Sequence, residues 1–279
     1  MTPKKMFSSA AYFPRAALKF GDSYHQQFDG LDHLTVVLHT GSSDEYRPVI
    51  ERLKNEGRTL LGHVVVTKRS APIFSGIDEL EAFIKQRISG YQGLIDEWDV
   101  LVEVVGSRRF DRLPPDWTKH ALSVVRKGYP EAKLWLNEYA IKDDAYWDQV
   151  LSLGQSLLGE GLDGIGVQCH VDLRGKLRLP KRARAFDFGA ARLVSLMPAP
   201  KVQDALDRIK GLGLEARLSE VSVRANASQR RAQMAAYERF GKVANSAGVD
   251  ACCWEWYDPN QTPKDGQPGY LNLIEALNG

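Results

Sequence analysis

Read for its apolar and polar positions, the chain breaks into short apolar runs bounded by turn residues. They are MFSSAAYF (6–13), LTVVLHT (34–40), TLLGHVVVT (59–67), WDVLVEVV (98–105), KLWLNEY (133–139), DGIGVQC (163–169), EARLSEVSV (215–223) and VDACCWEW (249–256). Each has the length of a strand, and several are apolar at both alternating positions, as a parallel strand must be when both its faces are covered. Between them lie segments with helical spacing: SDEYRPVIERLKNEG, IDELEAFIKQRIS, DWTKHALSVVRKG, DAYWDQVLSLGQSLLGEG, KVQDALDRIKGLG and SQRRAQMAAYERFGKVANSAG. Most open on Ser, Asp or another polar cap and stop at Gly. Strand and helix alternating in this way predict an α/β fold, a single (β/α)8 TIM barrel over residues 1–279. An open doubly wound sheet has less support, because no G-x-G-x-x-G turn follows the first strand. No Pro- or Ser-rich linker divides the chain, and Val171 to Pro200 reads as a long loop after the sixth strand.

Composition narrows the class. With 43% hydrophobic residues and 9% aromatics, the 279-residue chain can bury enough apolar surface to offset its conformational entropy, which excludes a disordered protein. Its 37 Lys and Arg against 35 Asp and Glu leave a formal charge of +2, which excludes a polyelectrolyte tail. Cys169, Cys252 and Cys253 are too few and too clustered for a disulfide framework and read as buried thiols of a reducing compartment. The N-terminal segment starts basic but develops no signal-peptide core, and no run approaches the ~20 apolar residues of a membrane span. A cytoplasmic protein without a membrane partner is expected.

In a barrel of this kind, chemistry sits at the C-terminal ends of the strands. The polar residues predicted there are His63 on the third strand, Glu103 on the fourth, Asn137 and Glu138 on the fifth, and Gln168 and His170 on the sixth. Glu220 follows on the seventh, and Trp254, Glu255 and Trp256 on the eighth. Glu103 and Glu220 interrupt otherwise apolar runs, where an unpaired carboxylate would cost several kcal/mol to bury. One such residue is most simply structural or turned outward. Two of them on the fourth and seventh strands, with a His and a Gln on the sixth, mark a site.

These residues carry a specific resemblance. GLIDEWDVLVEVVG resembles the fourth-strand motif of glycoside hydrolase family 10, the xylanase family, which reads approximately W-D-V-V-N-E. RTLLGHVVVTKRSAP is similar to its third strand, AKLWLNEYA to A-K-L-x-x-N-D-Y-N, and LDGIGVQCHV to I-D-G-I-G-x-Q-x-H-L. LEARLSEVSV resembles V-x-I-T-E-L-D-V, and VDACCWEWYDP the final G-V-T-V-W-G-x-x-D. The six motifs keep their order over about residues 58 to 259. The resemblance implies Glu103 as general acid/base and Glu220 as nucleophile of a retaining glycosidase cleaving internal β-linkages of a polysaccharide or oligosaccharide, with no cofactor. It further implies that His170 bonds the nucleophile, that Gln168 and Asn137 order the carboxylates, and that His63 and Trp254 line the sugar subsite; Trp256, in the same strand-end aromatic cluster, is a candidate to stack on sugar faces.

The departures fall on the grip of the reacting sugar. The Asn that normally precedes the acid/base is Val102, the Trp-His pair ending the third strand is Thr67 and Lys68, and the second-strand E-N-x-x-K segment is replaced by HTGSSDEY. The Asp two residues beyond the nucleophile is Ser222, and the Gly after Trp254 is Glu255. Basic residues cluster after the same strands: Lys68 and Arg69, then Arg108, Arg109 and Arg112, then Arg174, Lys176, Arg178, Lys181, Arg182 and Arg184. Any one run reads equally well as a solvated surface with local counterions. Together they predict an anion-attracting rim, with Lys68, Arg182 and Arg184 as substrate contacts, and a glycan carrying uronate, sulfate, phosphate or ketal-carboxylate groups. Nucleic acid is a weaker expectation, since no reader motif accompanies the basic residues. A metal site is not expected, because His63 and His170 have no Cys or His partner at ligand spacing. Two rival readings stand: a catalytically impaired barrel that binds carbohydrate, and a barrel enzyme of another class, such as an isomerase.

Overall fold

A computed structural model describes residues 8–38, 43–69, 71–139, 144–173, 199–224 and 230–254. Within these residues the strands β1 (Ser9–Tyr12), β2 (His33–Val37), β3 (Thr59–Thr67), β4 (Glu97–Val102), β5 (Lys133–Tyr139), β6 (Gly164–Asp172), β7 (Glu215–Arg224) and β8 (Asp250–Cys253) follow one another round a closed barrel. Each pairs in parallel with the next, and Ser9 and Ala10 close the ring against Cys252 and Cys253. The helices α1 (Pro14–Phe20), α2 (Asp22–His25), α3 (Ser43–Asn55), α4 (Ile77–Ile88), α5 (Trp117–Gly128), α6 (Asp144–Leu157), α7 (Ala199–Gly211) and α8 (Arg230–Ala247) lie between the strands in chain order. The predicted (β/α)8 architecture is therefore the observed one. No helix among the described residues is long and apolar enough to cross a membrane.

Strand alternation explains where the two halves of the core sit. Leu34 and Val36, Trp98 and Val100, Leu134 and Leu136, and Ile165 and Val167 join one large apolar cluster with helix residues such as Ile50, Ile84, Leu122 and Phe240. Because successive side chains of a strand point to opposite faces, Thr35, Asp99 and Asn137 turn inward. The outer seam between sheet and helices is thus apolar, and much of the barrel interior is polar. A small apolar cluster of Ala11, Val37, Cys252 and Trp254 occupies one side of the interior. All three cysteines are buried, and none forms a disulfide among the described residues. Burial pushes the Cys169 and Cys252 thiols up, Cys252 to about 11, which removes thiolate chemistry from both.

Two glycines make the polar interior possible. A Cβ on Gly164 would run into the Trp135 ring, and one on Gly166 into Ser219. The G-I-G stretch of β6 therefore clears space for side chains that other strands send across the barrel.

Several element boundaries differ from the sequence reading, β2 among them, which ends at Val37 rather than Thr40. β4 stops at Val102 rather than Val105, because Glu103 adopts a φ of 55° and breaks the extended backbone. β6 runs on to Asp172, so Val171 belongs to the strand, while Ala199 and Pro200 open α7. β1 ends at Tyr12, where Pro14 in the first helical turn starts a helix that the apolar pattern did not reveal. β8 ends at Cys253, and Glu255, Trp256 and residues 174–198 lie outside the described residues.

Gly164→Ala is expected to lower stability by about 1–3 kcal/mol through overpacking against Trp135. Gly159→Ala, where an added Cβ meets open space, should be neutral. Urea unfolding of the two variants measures the difference, and equal midpoints would contradict the packing role given to Gly164.

Candidate active site

The floor of the site is a charged cluster across the barrel interior. Asp99 on β4 is 1% exposed, accepts from Arg217 Nη2 on β7 at 2.6 Å and from His63 Nδ1 on β3 at 2.7 Å, and takes a third bond from Asn137 Nδ2 at 3.1 Å. β4 and β7 are not neighbours in the sheet, so the Asp99–Arg217 pair spans the interior. Burial alone would raise the Asp99 carboxyl, but the Arg217 guanidinium and the His63 and Asn137 hydrogen bonds hold it below its usual range. His63 moves the opposite way: burial opposes its charge, yet Asp99 and Glu220 raise it above its usual range. Arg217 also reaches Glu97 at 3.1 Å and lies over the Trp135 ring, 3.9 Å from its centroid.

Glu220 stands on this floor. Asn137 Nδ2 donates to its Oε1 at 3.1 Å, and His170 Nε2 lies 3.0 Å from its Oε2. His63 Nε2 faces Oε1 from 4.0 Å. Ser219 Oγ donates to Asn137 Oδ1 at 2.7 Å, which sets the amide so that its nitrogen points to the two carboxylates. The side chain of Glu220 is 7% exposed, and each of its oxygens has a fixed partner.

Glu103 sits at the end of β4 in the left-handed region, a conformation that costs a non-glycine residue roughly 1–3 kcal/mol and persists only where its surroundings enforce it. Here they do. The Glu103 amide donates to the Asn137 carbonyl at 3.0 Å, and the amides of Val104 and Val105 both donate to Glu138 Oε1, at 2.6 and 2.9 Å. The hydroxyl of Tyr146 on α6 closes the other oxygen of Glu138. Burial pushes Glu138 up to about 7, against the pull of the Tyr146 hydroxyl and the two amides. The sequence reading placed Glu138 among the strand-end residues but gave it no role. It is the clamp on the turn that carries Glu103.

The Glu103 carboxyl is 5% exposed and is itself held by cations. Lys68 Nζ lies 2.9 Å from Oε2, while Arg69 donates from Nε to Oε2 at 3.2 Å and from Nη2 to Oε1 at 3.1 Å. Arg69 also meets the Tyr139 hydroxyl, and Lys68 lies 5.1 Å from the centre of the Tyr139 ring. Burial would raise Glu103, but the Tyr139 hydroxyl, Lys68 and Arg69 together hold it below the usual carboxylate range. The two basic residues expected on the rim thus turn inward onto a buried carboxylate. Arg109, also expected there, donates to the Ala71 carbonyl.

The remaining expected residues divide. Gln168 is fully buried opposite Glu220 in the β6–β7 register, and its amide has no hydrogen-bond partner among the described residues. Trp254 is buried edge-on to His63, 4.8 Å between ring centres, and its indole nitrogen likewise has no partner among the described residues. Trp256, Arg182 and Arg184 lie outside the described residues. Among the described residues no group of three His, Cys, Asp or Glu could hold a metal ion.

Comparison with known proteins bears on the family and the fold. The sequence model described as "Glycosyl hydrolase family 10" matches residues 45–265, more than half of the chain. Endo-1,4-beta-xylanase A of Thermotoga neapolitana is 28% identical over 172 residues, which is 53% of this chain and 16% of that protein. The beta-1,4-xylanase of Dictyoglomus thermophilum is 24% identical over 206 residues, 67% of this chain and 51% of that protein. The chain thus spans 16% and 51% of these two relatives' length. Among solved structures, a family 10 endoxylanase from a sugarcane soil metagenome superposes with a TM-score of 0.72 at 14% identity, covering 99% of this chain and 98% of that one. A family 10 protein from Paenibacillus barcinonensis gives a TM-score of 0.69 at 17% identity over 98% and 95% of the two chains. At these identities the superpositions speak to the fold.

The Glu138 clamp has a measurable signature. Its usual value is 4.5 and its folded value about 7, so its contribution to stability is complete below about pH 4.5 and is lost as the pH rises to about 7. At ~1.4 kcal/mol per unit the loss is on the order of 3 kcal/mol. Glu138→Gln keeps an acceptor for the Val104 and Val105 amides and removes the titration. Its urea-derived stability should therefore fall less between pH 5 and pH 7 than that of the wild type, and parallel profiles would refute the assignment.

Proposed function

Because the chain belongs to glycosyl hydrolase family 10, we propose that it is a retaining endo-β-1,4-glycosidase of a polysaccharide or oligosaccharide, with Glu103 as acid/base and Glu220 as nucleophile. The whole chain is read as one barrel unit. The observation that carries this reading is Asn137, which binds both carboxylate-bearing elements at once: its carbonyl takes the Glu103 amide and its side chain donates to Glu220. A double displacement needs two carboxyl groups at a fixed separation on either side of the anomeric carbon, and one residue bonded to both supplies a fixed spacing.

The proposed reaction uses the groups in turn. Glu220, its two oxygens oriented by Asn137 and His170, attacks the anomeric carbon while Glu103 gives its proton to the departing glycosidic oxygen. The glycosyl ester on Glu220 is then opened by water, whose proton returns to Glu103. Trp254 forms an apolar wall for the sugar beside the charged floor that holds His63, and the Gln168 amide and Trp254 indole N–H offer buried polar atoms to its hydroxyls. Val102 supplies no amide where the related motif has Asn, so one contact to the sugar next to the scissile bond comes from elsewhere or not at all.

A second reading has an observation of its own. Lys68 and Arg69 keep Glu103 as a carboxylate, and a carboxylate cannot protonate a leaving group. That favours a barrel which binds carbohydrate without cleaving it.

Glu103→Gln is expected to lower kcat by roughly 10²–10⁴-fold and Glu220→Gln to abolish turnover of β-1,4-xylo-oligosaccharides, with azide restoring product formation in alanine variants of either residue. Products followed by NMR should first appear with the β configuration. Glycan binding by the wild type with no turnover would select the second reading. In a crystal structure the two carboxyl groups should lie about 5–5.5 Å apart; a separation of 6.5–9.5 Å would instead mean inversion.

A further inference from the structure

The pairing of two cations with one buried carboxylate is asymmetric in charge and in exposure. The Glu103 side chain is 5% exposed, whereas Lys68 is 33% and Arg69 57% exposed, so the cations reach in from solvent while the carboxylate stays behind them. Two positive charges on one negative leave a net positive charge at the mouth of the site. Arg69 grips Glu103 side-on through Nε and Nη2, the planar fork that matches a carboxylate, and Lys68 adds a third donor to the same group. Both cations follow β3, beside the β4 end that carries Glu103, and so they lie on the side where a leaving group would depart.

We infer that Lys68 and Arg69 form a carboxylate-recognition pair that holds Glu103 in the empty protein and engages a uronic acid unit of the bound glycan beside the scissile bond. This rests on the glycosidase reading of the same site and names the substrate class within it. The chemistry follows from sharing. With a neutral glycan, both cations stay on Glu103, so only the small protonated fraction of this carboxyl can give a proton to a leaving oxygen and turnover is slow. A uronate carboxylate arriving at the pair takes donors away from Glu103 and places a second negative charge near it. Two carboxylates at one site do not both remain ionised easily, so Glu103 takes a proton from solvent and becomes the acid the reaction needs. The cations that make the empty site unfit for general acid catalysis therefore make it selective for an acidic substrate.

The test compares two probes, xylo-oligosaccharides carrying glucuronic acid side units and the same oligosaccharides after carboxyl reduction. Calorimetry on the otherwise intact Glu220→Gln protein should show at least tenfold tighter binding of the acidic probe at low salt. Lys68→Met with Arg69→Met on that background should remove the difference. The first comparison needs no change in the pair itself, so a poorly folding double variant leaves it decisive. Equal affinity for the two probes, binding of neither, or a preference that survives the double variant would overturn the inference. Hydrolysis by the wild type is scored separately. Selective binding without cleavage removes the glycosidase reading and leaves the carboxylate site standing, whereas cleavage of both probes at one rate with one affinity does the reverse.

Discussion

Everything at the mouth of this barrel rests on a carboxylate that never meets solvent. Asp99 is almost fully buried, and an ionised group there is tolerable only if each lone pair has a partner and its charge is matched. Arg217 matches the charge from across the barrel, while His63 and Asn137 complete the shell. Each partner is thereby fixed for a second task. Asn137 turns its amide to Glu220, His63 turns its other nitrogen the same way, and Arg217 lies flat on Trp135. The glycines of β6 belong to this constraint, because they leave room for Trp135 and Ser219. Replacing Asp99 by an apolar residue would leave Arg217 with Glu97 as its remaining carboxylate partner and take one of the two acceptors from the Asn137 amide, so the floor and the orientation of Glu220 would loosen together.

The two carboxylates above this floor are held by different means, and the difference bears on what each can do. Glu220 is oriented by side chains, with the Asn137 amide on one carboxyl oxygen and His170 on the other. Glu103 is placed by backbone. Its left-handed conformation is maintained by three amide hydrogen bonds to β5, one to the Asn137 carbonyl and two to Glu138, so adjacent residues of one strand govern both sites. The strain of one unfavourable backbone position, roughly 1–3 kcal/mol, is comparable with two or three net hydrogen bonds of about 1 kcal/mol each. The turn stays formed as long as Glu138 does.

Much of this was legible in the chain. Apolar runs of strand length with helical segments between them specify the barrel, and an isolated Glu in VLVEVVG or ARLSEVSV announces itself because burial of a lone carboxylate is so unfavourable. Asn137 and His170 were likewise found beside Glu220, where their motifs put them. Other features carry no local signal. The bond from Asp99 to Arg217 joins residues 118 positions apart, and nothing in D-V-L or A-R-L tells which partner a buried charge will find. Glu138 looked like one more strand-end polar residue, because its role depends on the Glu103 backbone turning back towards it. The end of β4 was read three residues too far for the same reason, since apolar Val104 and Val105 continue the pattern after the backbone has left the sheet.

The basic residues after β3 show how a surface argument changes once geometry is known. A count of +2 over the chain says little about partners, and a cluster of Lys and Arg at strand ends says only that anions are attracted. An exposed ion pair with free rotation is worth about 0–1 kcal/mol and is screened by salt. Lys68 and Arg69 are not in that regime at their inner ends, because the carboxylate they share is buried and geometrically fixed. Removing them without a replacement cation would leave Glu103 in a low-dielectric pocket with, among the described residues, the Tyr139 hydroxyl to support its charge, and protonation would then be the cheaper state. The protonation of Glu103 is therefore governed by whatever stands in front of Lys68 and Arg69. Under the proposed reading, recognition at the rim and acid strength within the site are one equilibrium.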